Sequence, residues 1–270
     1  MLLLKFRLPI AVALAGPITC SAAMLALPAV KMIEPELIAL KAGQVIYPPA
    51  GDFTRSGKPI SAPPKTVYFA RGLQIMKRQV TQAEYRKCVE DRGCPSAVLP
   101  SPASADKPMV GVSWRDADAY AIWYSGKAGK RYRLPTDEEW AFAAGSRFRD
   151  EGWPAVGDSD PAQRWLARYE SEFADEPIDK TPRAVGSFGA NENGLLDIAG
   201  NVWEWTDTCF IRIRIDDAGE QTAWTTNCGV RVVEGRHRTY VTNFIRDALS
   251  GGCAVGKPPA NLGFRLVRGD

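Results

Sequence analysis

A glutamate set between two tryptophans, in Gly200-Asn201-Val202-Trp203-Glu204-Trp205, constrains this chain more than any other feature. Side chains that large and apolar end up inside a fold. A carboxylate taken inside with them is costly unless a cation or several N–H donors meet it. One candidate is Ca2+, which takes roughly six to eight oxygens from a tight loop. Asp197 and Glu204 supply side-chain oxygens for it, and a turn at Gly200 aims carbonyls inward between them. The other candidate is an arginine partner, or a capped turn with the tryptophans as core. Spacing alone leaves both open.

The rest of the chain is that of one sizeable globular domain, 270 residues long, 45% hydrophobic and 24% charged. Lys and Arg exceed Asp and Glu by 34 − 31 = 3, with no long basic run, so no nucleic-acid partner is expected. Lys5 and Arg7 precede an uncharged run from Leu8 to Val30, and Ser21-Ala22-Ala23 offers small residues for a signal peptidase. Residues 1–30 therefore read as a signal peptide or N-terminal anchor, which places the protein in the periplasm or outside the cell. An uncleaved leader of that length spans about 34 Å as a helix, enough for a bilayer, although Pro9, Gly16, Pro17 and Pro28 interrupt it. A membrane association is expected only through such an anchor, at residues 8–30. Losing Lys5 and Arg7 takes the net charge from +3 to +1.

Six cysteines suit an oxidising compartment. Cys88 and Cys94 lie close together around Gly93, where a short loop at a helix end can be stapled, and are expected to be bonded. If Cys20 leaves with the leader, one of Cys209, Cys228 and Cys253 remains free or bonds to another molecule. With one histidine and no Cys-x-x-Cys, a Cys/His zinc site and a three-histidine iron site lack their residues.

Residues 31–66 read as an extended lead-in with turns, and TVYFARGLQI as one strand. Three helices announce themselves by a hydroxyl three positions before an acid, at Thr81/Glu84, Ser113/Asp116 and Thr136/Glu139. Their apolar faces are Tyr85, Cys88 and Val89; Ala117, Tyr120, Ala121 and Tyr124; and Trp140, Ala143 and Ala144. Residues 146–194 read as packed irregular loops, and GVRVVEG and LGFRLVRG as strands. Trp114, Trp123, Trp140, Trp203 and Trp205 read as core, and the arginines of GFRLVR as facing solvent or pairing with acids. The outcome is one loop-rich α+β domain.

In the order VTQAEYRKCV, PMVGVSWRDADAYAIW, RLPTDEEWAFAA, LDIAGNVWEWTD and NLGFRLVR, these blocks resemble the formylglycine-generating enzyme, or sulfatase-modifying factor, family. The resemblance implies a C-type-lectin-like fold with a few short helices and small antiparallel sheets over residues 45–268, with 31–44 as lead-in. It implies Ca2+ at the side chains of Asp197 and Glu204 and the carbonyls of Gly200 and Val202. The family's second calcium site has no match within WLARYESEFADEPID.

Active members of that family oxidise a substrate cysteine with copper(I) held by two cysteines, and here the matching stretch departs from the pattern. Gly235-Arg236-His237 stands in place of Gly-Gly-Ser, and Tyr240 with Thr242 or Ile245 in place of the two thiols. Copper is not expected. The expectation is an exported family member without the oxidase activity, acting as an accessory or binding protein for a periplasmic enzyme or peptide. The cleft, lined by Arg236, His237, Arg238, Tyr240 and Arg246, would receive a peptide or an anionic ligand. Alternatives are an oxidoreductase of altered chemistry in the same cleft and a lectin-like recognition module.

Overall fold

Three helices begin where the capping boxes predict. In the computed structural model the hydroxyls of Thr81, Ser113 and Thr136 each accept the amide N–H three residues on, and the acids there reach back to the cap. These boxes open α1 (Gln82–Glu90), α2 (Trp114–Ala128) and α3 (Asp137–Ala144). The predicted apolar faces are turned inward, except that Val89 is only half-buried. The structure describes residues 35–97, 103–150, 181–247 and 261–269. The leader 1–30, Cys20, Cys253 and WLARYESEFADEPID lie outside the described residues. All described residues belong to one compact unit.

The segment expected to be a mere lead-in is folded into sheets. β1 (Leu37–Leu40) pairs with β6 (Leu73–Met76), which also pairs with β12 (Val267–Arg268), next to β7 (Tyr132–Arg133). β2 (Gly43–Tyr47) pairs with β5 (Lys65–Phe69), so the expected domain start at residue 45 falls inside a strand. TVYFARGLQI is likewise two strands, β5 and β6, rather than one. The chain turns at Gly72, whose φ is +71°, and a Cβ there would collide with the carbonyl of Leu40.

A second sheet has the order β10-β9-β8-β3-β4. Its centre is the hairpin of β8 (Trp203–Ile215) and β9 (Gln221–Glu234), flanked by β10 (Thr239–Thr242) and by β3 (Asp52–Arg55) with β4 (Lys58–Ile60). β3 and the short β11 (Leu262–Gly263) run parallel to β8. Cys209 and Cys228 form a disulfide across the hairpin and Cys88 is bonded to Cys94. All four described cysteines are therefore paired, which settles two of the three that spacing left open.

The main apolar core gathers Leu73, Ile75, Trp140, Ala143, Leu195, Ile198 and Val267. A second aromatic group forms where Tyr120 of α2 meets Tyr85, Tyr124 and Phe264. Of the five tryptophans expected in the core, Trp140 and Trp205 are fully buried. Trp114, Trp123 and Trp203 are half-buried and anchored by their indole N–H to Thr206 O, Asp91 and His237 O. An indole with one wet edge and one bonded N–H suits such a position.

Candidate functional site

Strand geometry answers the question posed by the WEW run. Alternate residues of β8 point to opposite faces, so Trp203 and Trp205 share one face and Glu204 takes the other. There the Glu204 carboxylate, 0% exposed, accepts four hydrogen bonds. Arg265 donates through Nε to Oε2 at 2.6 Å and through Nη2 to Oε1 at 2.7 Å. Gln79 Nε2 donates to Oε1 at 2.8 Å and Trp140 Nε1 to Oε2 at 3.0 Å. The tryptophan that touches the carboxylate thus comes from α3. Arg265, in GFRLVR, is itself fully buried, and its other N–H groups reach the carbonyls of Met76, Lys77 and Leu196. One ion pair joins β6, α3, β8, the turn before β8 and the C-terminal segment.

The turn before β8 has its own anchor. Asp197, buried and at φ +55°, accepts the amide N–H of Phe188 at 2.7 Å and that of Gly186. Arg147, just past α3, donates to the carbonyls of Ala190 at 2.7 Å and Ile198 at 3.4 Å. Guanidinium groups hold both the carboxylate and part of the carbonyl set of this loop.

A second buried polar cluster sits at the end of the β8–β9 hairpin. Arg238 donates from Nε to Glu234 at 2.8 Å and from Nη1 to Pro48 O at 2.9 Å, and forms ion pairs with Asp137 at 3.2 Å and Asp150 at 3.1 Å. Its guanidinium also faces the rings of Tyr47 and Phe148. The Tyr47 hydroxyl donates to Asp137, and Tyr240 accepts the Gly51 amide at 2.7 Å with its ring edge-on to Phe210. Asp137 Oδ1 and Glu234 Oε2 are buried without a donor. Burial, with Asp137 beside it, raises the Glu234 carboxyl well above the ordinary carboxylate range. A proton retained there supplies Asp137 with a donor and leaves Arg238 facing one buried carboxylate instead of two. Burial works against the Arg238 cation, but its acidic neighbours, Asp137 foremost, outweigh it and raise its pKa. Desolvation raises Tyr47 and Tyr240 as well, so both stay neutral phenols.

The family of sulfatase-modifying factor enzyme 1-like domains matches this chain over residues 27–269. The chain belongs to that family. Among curated relatives, the formylglycine-generating enzyme of Streptomyces coelicolor is 32% identical over 170 residues, covering 59% of this chain and 52% of that protein. The inactive C-alpha-formylglycine-generating enzyme 2 of Bos taurus is 38% identical over 176 residues, covering 60% of this chain and 50% of that protein. The chain thus spans about half the length of these relatives. Among solved structures, PvdO from Pseudomonas aeruginosa matches with a TM-score of 0.55 at 23% identity, covering 87% of this chain and 94% of the other. The loop-rich α+β fold expected from the sequence, that of the formylglycine-generating enzymes, is the fold observed.

Within that sulfatase-modifying-factor framework, three of the four groups expected to hold calcium are engaged by other partners. Both Glu204 oxygens are taken by N–H donors, one of them a cation. Asp197 is spent on two amides, and the Gly200 carbonyl accepts the Val202 N–H at 2.7 Å. Among the described residues no three His, Cys, Asp or Glu side chains converge as a metal site.

The residues expected to line one cleft are divided. Arg238 and Tyr240 belong to the closed cluster. His237 packs edge-on against Trp203, with Nδ1 3.2 Å from Arg238 O, and Arg236 is exposed. Arg246 is elsewhere, bound bidentately to Asp116 of the α2 cap at 2.7 and 2.8 Å. Burial opposes the Asp116 carboxylate, but Arg246 and Ser113 outweigh it and hold its pKa below the usual range. Gly235 is required where Trp203 crosses it, since a Cβ would enter the indole ring.

Sequence reasoning missed Tyr47, Asp137 and Glu234. The one available signal was Glu234, two positions after Val232 in a buried strand and so at an inward-facing register.

Proposed function

We propose that this chain is an exported sulfatase-modifying-factor domain protein that does not generate formylglycine and serves a protein or peptide partner in the periplasm. One observation carries the reading: where active relatives are expected to hold copper between two thiols, this chain has Tyr240, whose hydroxyl is committed to Gly51 and whose ring packs on Phe210. Copper(I) wants soft thiolates, and neither a phenol nor Thr242 supplies one. The four described cysteines are bonded to each other in pairs, which suits an oxidising compartment. The uncharged run Leu8–Val30 supports export through a leader, cleaved or kept as an anchor. The likeness to a relative named as inactive agrees with a non-catalytic role. A lectin-like role and an altered oxidation chemistry are the outcomes against which the reading is tested.

The test is an anaerobic copper(I) titration with thiol counting, run with a peptide-cysteine oxidation assay, and a pull-down from periplasmic extract. The expected result is no stoichiometric copper(I) binding, no aldehyde on the peptide, and a captured protein partner. Tight copper(I) binding with peptide oxidation would overturn it, and a glycan-array hit without a protein partner would replace it with the lectin reading. N-terminal sequencing of the protein recovered from the periplasm reports whether Ser21-Ala22-Ala23 is the cleavage region.

A further inference from the structure

Away from both buried clusters, the four-stranded sheet ends in an open cavity of about 800 Å3. Among the described residues its charged lining is Arg71, Lys130, Arg131, Arg133 and Arg268, with Glu139 the one acid. The formal charge of these six side chains is 5 − 1 = +4. In a concave place, low-dielectric walls strengthen the field of such charges.

The fold explains how the charges meet. Gly129 ends α2 in a left-handed turn, and Lys130-Arg131 follow at once, leading into β7. β12 pairs beside β7, bringing Arg268 opposite Tyr132, and the Gly269 amide donates to Arg131 O at 2.9 Å. Arg71 comes from the forced turn at Gly72. Arg133 is held bidentately by Glu139 at 2.6 Å, which fixes its position while neutralising it. Among the described residues, Arg131 and Arg268 have no carboxylate partner. Phe69, stacked on Phe142 at 4.3 Å, and Leu40 supply apolar wall. A cavity of this volume accommodates a ligand of disaccharide or nucleotide size, within the usual range of roughly 300–1,000 Å3.

We infer that this cavity binds a compact polyanion carrying clustered phosphate or sulfate groups. The forked guanidinium donors of Arg131 and Arg268, brought together on neighbouring segments, match tetrahedral oxyanions, which take paired N–H bonds that a single carboxylate cannot fill so completely. This ligand is distinct from the protein or peptide partner proposed above, and the cavity is distinct from the cleft expected around Arg236–Arg246.

Calorimetric titration of the full chain with inorganic triphosphate and with sucrose octasulfate tests it, at about 20 mM and about 300 mM salt, since screening lengths shorten over that range. Saturable binding of either probe is expected, weakening by at least about tenfold at the higher salt and by at least about tenfold in Arg131→Ala/Arg268→Ala. Triphosphate alone would assign a phosphate ligand, octasulfate alone a sulfated one. Arg212→Ala/Arg214→Ala, on the hairpin, removes the same charge elsewhere and is expected to change binding less than about twofold. Arg131→Ala alone serves as the second probe should the double variant lose its folded circular dichroism spectrum. No saturable binding, or equal loss in the hairpin variant, overturns the inference.

Discussion

Replacing Glu204 by Gln keeps the shape of the side chain and removes its charge, in a place where every neighbour is a donor. Two N–H groups converge on each oxygen, at 2.6 and 3.0 Å on Oε2 and at 2.7 and 2.8 Å on Oε1. Whichever end becomes the amide nitrogen, it turns a donor toward two donors, and Arg265, 0% exposed, is left without its counter-charge. Breaking a buried pair from one side costs about 3–5 kcal/mol, because an uncompensated charge stays inside. At about 2–4 °C per kcal/mol for a domain of this size, the melting temperature should fall by about 6–20 °C. Arg265→Met should cost as much. Glu204→Leu/Arg265→Met should cost less than the sum of the single changes by about 1–3 kcal/mol, although Gln79, Trp140 and three carbonyls still lose partners. Urea unfolding followed by tryptophan fluorescence measures all three. A loss below about 1 kcal/mol in Glu204→Gln, or strict additivity in the double variant, would refute the arginine-clamp argument. So would a wild-type melting temperature that EDTA lowers by several degrees and that loses this response in Glu204→Gln, because a calcium ion bound at Glu204 would stabilise in that manner.

Further expectations follow from the same structure. Replacing Cys209 and Cys228 by Ser frees a hairpin of sequence separation 19 and should cost about 2–4 kcal/mol by thermal unfolding, with the reductant sensitivity of that arm lost. Because the Glu234 carboxyl is raised in the fold, the native state holds a proton that the unfolded chain releases above about pH 4.5, so its contribution to stability declines as pH rises. Glu234→Gln keeps a neutral side chain there; its stability relative to wild type should therefore grow between about pH 5 and pH 8, and a pH-independent difference would contradict the shared-proton arrangement with Asp137. Gly235→Ala forces a methyl group into the Trp203 ring and should destabilise by about 1–3 kcal/mol, read from the urea midpoint. Arg147→Met releases carbonyls of the loop before β8, and hydrogen exchange at residues 186–200 should accelerate by about tenfold while α2 is unchanged.

The helices were legible because their information is local: a hydroxyl and an acid three residues apart satisfy the same turn wherever it lies. The Cys88–Cys94 staple was legible for the same reason. Local spacing was less informative for strands, where a single residue such as Gly72 divides one apolar run between two sheets. It was least informative for the residues of the expected cleft. Arg238 and Arg246 are eight positions apart, yet one is enclosed by Glu234 and Asp137 and the other caps α2 through Asp116.

By itself, the sequence required that a carboxylate beside two tryptophans be met by something positive or rich in N–H groups, and it offered both a metal and an arginine. Which of them meets it was decided by pairing at long range. Strand alternation turns Glu204 away from its sequence neighbours, and the C-terminal segment brings Arg265 to it from 61 residues away, with Gln79 from 125. A buried charge must be compensated wherever the chain goes, so the need is written locally. Its partner is chosen by which segments the sheet packs against that face, and only the assembled fold contains that choice.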